Sequence, residues 1–322
     1  MIESINFMNF KALRDTTLNL GRFTLIVGPN GSGKSTVLQA LTITSAGKNL
    51  NFKTSLSTGV TEGERIAIAI NWDRQAEVTG QTTCSWSRSD GLHVAGHLAP
   101  SFPGPRVYSL NATAIAARVG LEPKMELDPE GRGLAGVLDR LRDEAPERFE
   151  ALNTEFGHWL PEFDRILFDT PHPGQRAIAL RTSQGSHRIP ASELSQGTLL
   201  ALAMLTLAYL PDPPPIVGFE EPDRGIHPRL LRDVRDALYR LAYPESIGEK
   251  RQPVQVIATT HSPYLLDLFR DHPEEIVVAQ KEDSNVRFQR LSDMPEIKEI
   301  LEGAPLGDVW YSGVLGGVPG DK

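Results

Sequence analysis

One cysteine, Cys84, is all that 322 residues provide. A disulfide framework within the chain and a cysteine-based zinc cage are both excluded, and the usage fits a reducing cytosol. No apolar run reaches the roughly 18 residues that a membrane span needs. The longest, Leu199–Leu210, is interrupted by Thr206 and stopped by Pro211-Asp-Pro-Pro-Pro215, so it predicts a buried core helix. The opening Met1-Ile-Glu-Ser lacks the basic-then-apolar layout of a secretion signal. A soluble, cytoplasmic protein without a membrane partner is therefore expected. Excess positive charge is missing as well. With 33 Lys and Arg against 41 Asp and Glu the net charge is −8, so any DNA or RNA contact would come from a local patch. Internal repeats and low-complexity tracts are absent.

What is present is ordinary globular material, 40% apolar and 23% charged, of a length that suits two domains or one α/β domain with insertions. The first 27 residues predict two strands, Glu3–Phe10 and Arg22–Val27, joined by a polar turn at Arg14-Asp15-Thr16. A glycine-rich loop and a helix from Thr36 to Ile43 follow. Short β-like runs between 63 and 110 predict an antiparallel sheet. A pair of histidines there, His93 and His97, has no carboxylate or cysteine beside it and reads as surface. A helical section follows from Leu134 to Leu160. From Pro215 strands and helices alternate: Ile216–Phe219, Arg229–Leu241, Val254–Ala258, Tyr264–Phe269 and Glu275–Ala279. Alternation of this kind implies a parallel sheet covered on both faces.

Gly28-Pro-Asn-Gly-Ser-Gly-Lys-Ser35-Thr36 fits G-x-x-x-x-G-K-[ST] between a predicted strand and a predicted helix. The chemistry explains the pattern. Glycines let backbone N–H groups turn toward phosphate oxygens, and the helix N-terminus adds positive potential. Asn30, Gly31, Ser32, Gly33, Lys34, Ser35 and Thr36 are the candidate nucleotide contacts. Lys34 reaches the β and γ phosphates, and the Ser35 hydroxyl is a ligand for Mg²⁺. Further on, the apolar strand Ile216-Val-Gly-Phe ends in Glu220-Glu221-Pro222-Asp223. In a P-loop enzyme the first acid supports the Mg²⁺ shell and the second accepts a proton from the attacking water. Glu220 stands where an aspartate is usual, one methylene longer.

Two more segments have structural readings of their own. Ser195-Gln-Gly-Thr198 before an apolar helix is a helix cap. Ser262-Pro263 is an N-cap with a first-turn proline, which sets His261 at a strand-to-helix corner. Arg229, Arg232, Arg235 and Arg240, interleaved with Asp233 and Asp236, read as a solvated helix face.

In order and spacing, Gly28–Thr36, Leu194–Thr198, Ile216–Pro228 and Ile257–Pro263, with Asn9-Phe10-Lys11 at the start, resemble the ABC-type ATPase heads of the SMC, RecF and OLD group. The resemblance implies a P-loop NTPase of α/β class: a parallel core sheet, an antiparallel β-subdomain and an inserted helical lobe. Residues 1–110 and 211–322 would form the nucleotide lobe and 111–210 the signature lobe. It implies two ATP molecules with Mg²⁺ sandwiched in a homodimer. Ser195 and the Gly197 amide would touch the γ-phosphate held by the other protomer. Lys34, Glu221 and His261 would be catalytic, Glu221 as general base and His261 as the switch residue. His227 occupies the place of the usual D-loop aspartate. Gln81 and Asn111 are both candidates for the glutamine-loop residue. The expected function is Mg²⁺-dependent ATP hydrolysis that regulates a separate effector protein, such as a nuclease in antiphage defence. A RecF-like DNA-repair ATPase, a non-hydrolysing nucleotide sensor and a transporter subunit are the competing readings. No nuclease motif is assigned before Lys322, which puts the effector on another polypeptide.

Overall fold

Phe23-Thr-Leu-Ile-Val27 is buried along its whole length, as a strand needs to be when it has neighbours on both edges. In the computed structural model it lies inside a six-stranded sheet. The order is Asn285–Arg290, Ile276–Glu282, Phe23–Val27, Gln255–Thr260, Ile216–Glu220, Arg106–Tyr108. The four central strands run parallel, with Phe23 opposite Val256 and Ile216 opposite Gln255. Asn285–Arg290 closes one edge as an antiparallel hairpin partner. The α/β class with a parallel core is thus the observed one.

The structure describes residues 1–46, 55–57, 65–74, 78–87, 91–95, 104–282, 285–295 and 297–315. His97 lies outside them, as does the side chain of His93. Contacts group the chain into two units. The first takes Met1–Val107, Pro214–Glu221 and Val254–Lys322, and the second Tyr108–Pro213 and Pro222–Pro253.

Within the first unit a five-stranded antiparallel sheet accompanies the parallel one. Its order is Leu13–Asn19, Ile2–Phe10, Ile66–Arg74, Val78–Ser87, Gly91–Ala95. Leu13–Asn19 corrects the expected polar turn. It is an edge strand whose polar residues point outward while Leu13 and Leu18 point inward. The true reversal falls at Lys11-Ala12, where Asn9 and Lys11 adopt positive φ of 54° without any glycine. Gln255, 1% exposed, ties the sheets together. Its Oε1 accepts from the Ile2 N–H at 2.7 Å, and its Nε2 donates to the carbonyls of Ile2 at 2.7 Å and Gly21 at 2.9 Å.

The second unit joins a four-stranded sheet to a set of helices. Its strands are Phe163–Asp169, Gln175–Thr182, Arg188–Pro190 and Val119–Gly120. Helix Gln196–Tyr209 is buried from Thr198 onward, as its unbroken apolar sequence requires. Residues 222–253 belong with this unit rather than with the nucleotide lobe to which sequence order had joined them. The reason is helix Leu231–Ala242, whose apolar stripe of Leu231, Val234, Leu238 and Leu241 is buried. It packs on Gln196–Tyr209, and the Arg240 guanidinium stacks 3.9 Å from the Tyr209 ring. Among the described residues no helix is long and apolar enough to cross a membrane.

Candidate functional site

Strand Phe23–Val27 delivers the chain into a loop that runs to helix Lys34–Ala46. Gly28 has no room for a side chain: a Cβ there would stand 2.4 Å from Ser32 Oγ and 2.8 Å from the Ala279 carbonyl. Gly33 has φ of +84° and would clash with Leu13 at 2.9 Å, so both glycines are dictated by backbone shape. Lys34 folds back into the loop, where Nζ donates to the carbonyls of Gly28 at 2.6 Å and Pro29 at 3.0 Å. It is 7% exposed. Burial pushes its pKa below the usual lysine range, and the charge of Glu221 pushes it back up. Ser32 Oγ is buried among the loop atoms with no hydrogen-bond partner. A loop holding an unsatisfied hydroxyl and a buried ammonium fits an anionic ligand with several acceptor oxygens. Gly31 also has positive φ, with open space beside it. Asn30 and Ser35 are exposed, and Thr36 is half-buried.

Two strands away, Ile216–Glu220 ends level with Thr259. Glu220 is half-buried, and its carboxylate has no hydrogen bond or ion pair among the described residues. Glu221 breaks from the strand with φ of +47°. Its N–H donates to the Thr259 carbonyl at 3.1 Å, with Thr259 Oγ1 at 3.3 Å. Its Oε1 lies 2.9 Å from His261 Nδ1. A carboxylate accepts, so Nδ1 carries the proton in this contact. His261 sits at the corner expected for it. Ser262 Oγ caps helix Pro263–Asp267 by accepting from Leu265 N at 3.4 Å, and Thr260 Oγ1 accepts from Ser262 N at 2.9 Å. The first unit thus brings together Gly28–Thr36, Glu220, Glu221 and His261. Thr259 and Thr260, which brace this corner, enter the sequence reading only as members of the Ile257–Pro263 segment, with no role of their own. No group of three or more metal-ligating side chains occurs among the described residues. The exposed Ser35 hydroxyl and the half-buried Glu220 carboxylate are hard oxygen donors, of the kind Mg²⁺ takes together with phosphate oxygens and water.

Ser195 and Gly197 belong to the second unit. Ser195 caps helix Gln196–Tyr209, its Oγ accepting from Thr198 N at 3.1 Å and lying 2.7 Å from Thr198 Oγ1. The 222–228 segment packs against this first turn: a Cβ on Gly197 would stand 3.0 Å from the Gly225 carbonyl. His227 Nδ1 accepts from the Arg229 N–H at 3.2 Å, starting the short helix Pro228–Leu230. That proline-led turn replaces the beginning of the helix predicted from Arg229. Of the two glutamine-loop candidates, Asn111 caps helix Ala112–Ala116 and Gln81 is an exposed strand residue.

Comparison with known proteins gives the family and the fold. Residues 101–267, just over half of the chain, match the family described as "AAA domain, putative AbiEii toxin, Type IV TA system". Residues 1–87 match an AAA ATPase domain. A stretch of 41 residues is 49% identical to the OLD nuclease of Thermus scotoductus, covering 13% of this chain and 8% of that protein. The fold is similar to an SMC head solved with the C-winged helix domain of ScpA, with a TM-score of 0.66 at 16% identity over 92% of this chain and 99% of that one. It is also similar to the SMC head domain of Thermotoga maritima, with a TM-score of 0.52 at 16% identity over 90% and 98% of the two chains. The recombination mediator RecF gives 0.50 at 11% identity over 89% and 98%. The phosphate loop, the acidic strand end and the breadth of the family match all point one way. The chain belongs to the AAA domain family described as "putative AbiEii toxin, Type IV TA system", built on the fold of SMC heads and RecF.

Proposed function

We propose that the protein is a Mg²⁺-dependent ATPase that closes as a homodimer around ATP and passes its nucleotide state to a separate effector. The observation that carries this reading is the polar cluster of the first unit. There a buried P-loop lysine feels the field of Glu221, and Glu221 accepts from His261 at 2.9 Å. Lys34 and the loop N–H groups would bind the β and γ phosphates, with Lys34 exchanging its contacts to the Gly28 and Pro29 carbonyls for phosphate oxygens. Ser35 and Glu220 would hold Mg²⁺, which would supply neutralisation of the phosphate charge. Glu221 would take a proton from the attacking water, and the His261 Nδ1–H aims the Glu221 carboxylate. In the second unit Thr198 Oγ1 can donate to Ser195 Oγ. That leaves the Ser195 proton and the Gly197 amide free for the γ-phosphate of an opposing protomer.

The short likeness to the OLD nuclease supports an effector of nuclease type. The test is a pair of variants. Glu221→Gln accumulates an ATP-bound dimer, read by light scattering, while Lys34→Ala loses nucleotide binding. Wild-type turnover by Glu221→Gln would remove Glu221 from the role of base.

A further inference from the structure

We propose that Arg229 is a catalytic residue acting in trans: its guanidinium stabilises charge on the terminal phosphate of the nucleoside triphosphate held by a second copy of the chain. The inference rests on the sandwich reading above and assigns that site a residue which the signature motif does not include.

A cavity of about 610 Å³ opens in the second unit beside the first turn of helix Gln196–Tyr209. Ser195, Gly197, Thr198, His227 and Arg229 line it, and Glu162 is its one acid. Arg229 is exposed, and its guanidinium makes no hydrogen bond or ion pair among the described residues, with Glu162 or any other. Arg232 is exposed and unpaired among the described residues too but does not line the cavity, whereas Arg235 is paired with Asp236 at 2.6 Å and Arg240 is held by Glu249. Asp233, the acid nearest in sequence, feels the charge of Arg229 without contacting it. Burial and the field of Asp236 push its carboxyl pKa up.

The backbone that presents Arg229 is stiff. Pro228 fixes φ, the Arg229 N–H is spent on His227 Nδ1, Leu230 N donates to the His227 carbonyl at 2.8 Å, and Leu230 is buried. With Nδ1 accepting, His227 carries its ring proton on Nε2, a second donor in the same cavity. His227 stands where the resemblance places an aspartate, which removes a negative charge, and Arg229 two residues on adds a cation to the same cavity. A planar guanidinium with five donors suits the spread charge on three phosphoryl oxygens better than a point charge does.

The test uses the full chain with ATP and Mg²⁺. Arg229→Ala should lower kcat by about 100-fold or more, the range of lost oxyanion donors and arginine fingers, with ATP affinity of the monomer unchanged within about twofold. Arg232→Ala removes another exposed cation three residues on and should leave the rate within about twofold. Mixing Arg229→Ala with Lys34→Ala protomers, each inactive alone, gives mixed dimers in which one of the two sites has an intact P-loop facing an intact Arg229. Activity several-fold above that of either variant alone should return. Failure to restore activity, with both variants folded by circular dichroism, would overturn the trans assignment, and so would an unimpaired Arg229→Ala. A wild type that stays monomeric with ATP and turns over at a rate per molecule independent of its concentration refutes the sandwich itself, a separable result.

Discussion

Glu221→Gly and Glu221→Ala, compared with each other, isolate the strain stored at the acidic strand end. Glu221 has φ of +47°, a left-handed conformation that costs an L-residue about 1–2 kcal/mol. Alanine keeps that penalty and glycine relieves it. Against this, glycine loses more chain entropy on folding, about 0.5–1 kcal/mol. Both variants lose the carboxylate and its 2.9 Å contact with His261 equally, so that contribution cancels. The balance makes the glycine variant more stable by about 0.5–1 kcal/mol, the reverse of their order in an ordinary strand. Native-state hydrogen exchange at amides of Gln255–Thr260 reads the first unit alone, and about 0.7 kcal/mol appears there as roughly threefold slower exchange. Neither variant should hydrolyse ATP. If the alanine form is the more protected, Glu221 is not strained and its backbone is not what turns the carboxylate toward His261.

Gln255→Leu leaves the Ile2 N–H and the Ile2 and Gly21 carbonyls without their partner. Urea unfolding should show a loss of about 3 kcal/mol or more, and a loss under about 1 kcal/mol would mean the tie between the sheets is dispensable. Lys34→Met should stabilise the nucleotide-free protein by about 0.5–2 kcal/mol at pH 7, while ATP no longer raises its midpoint. The folded pKa of Lys34 is lowered, so its burial opposes folding below that value, and the opposition fades as pH rises from there toward the unfolded value. The advantage of methionine should shrink over the same window, and a gain that grows with pH would contradict the burial argument. Ser195→Ala should lose about 1 kcal/mol through the missing cap. Ser195→Asp keeps the cap and the stability yet sets a carboxylate against phosphate, so both variants lose ATP-dependent dimerisation; a competent Ser195→Asp would reduce Ser195 to a cap.

The parallel sheet and the phosphate loop were legible because each carries a signal at its own length scale: short, mainly apolar strands alternating with helices, and glycines locked to a Lys-Ser pair. His261 was legible through its neighbours, since Ser262-Pro263 marks the corner whatever precedes it. Leu13–Asn19 was not. Only Leu13 and Leu18 turn inward, too sparse an alternation to outweigh Arg14-Asp15-Thr16, and the turn before it uses Asn9 and Lys11 in place of glycine. The grouping of 222–253 was hidden for another reason. Motif order joins Glu221 to Pro222, whereas the packing that separates them is made by helix Leu231–Ala242, whose stripe names no partner. The role argued for Arg229 was masked by the periodic mixture of charges around it, which only the cavity it lines resolves.

The strand order also bears on how the chain is made. Phe23–Val27 is flanked by Gln255–Thr260 and Ile276–Glu282, so its neighbours are synthesised some 230 residues after it. At about 5–20 residues per second, that interval is about 10–50 s on the ribosome. Throughout it, Phe-Thr-Leu-Ile-Val leads into a nucleotide loop that has no sheet to stand on. The nascent protein therefore cannot acquire its nucleotide site gradually. The site arrives late and all at once, after a period in which an apolar strand is open to chaperones, or to the same strand of another nascent chain.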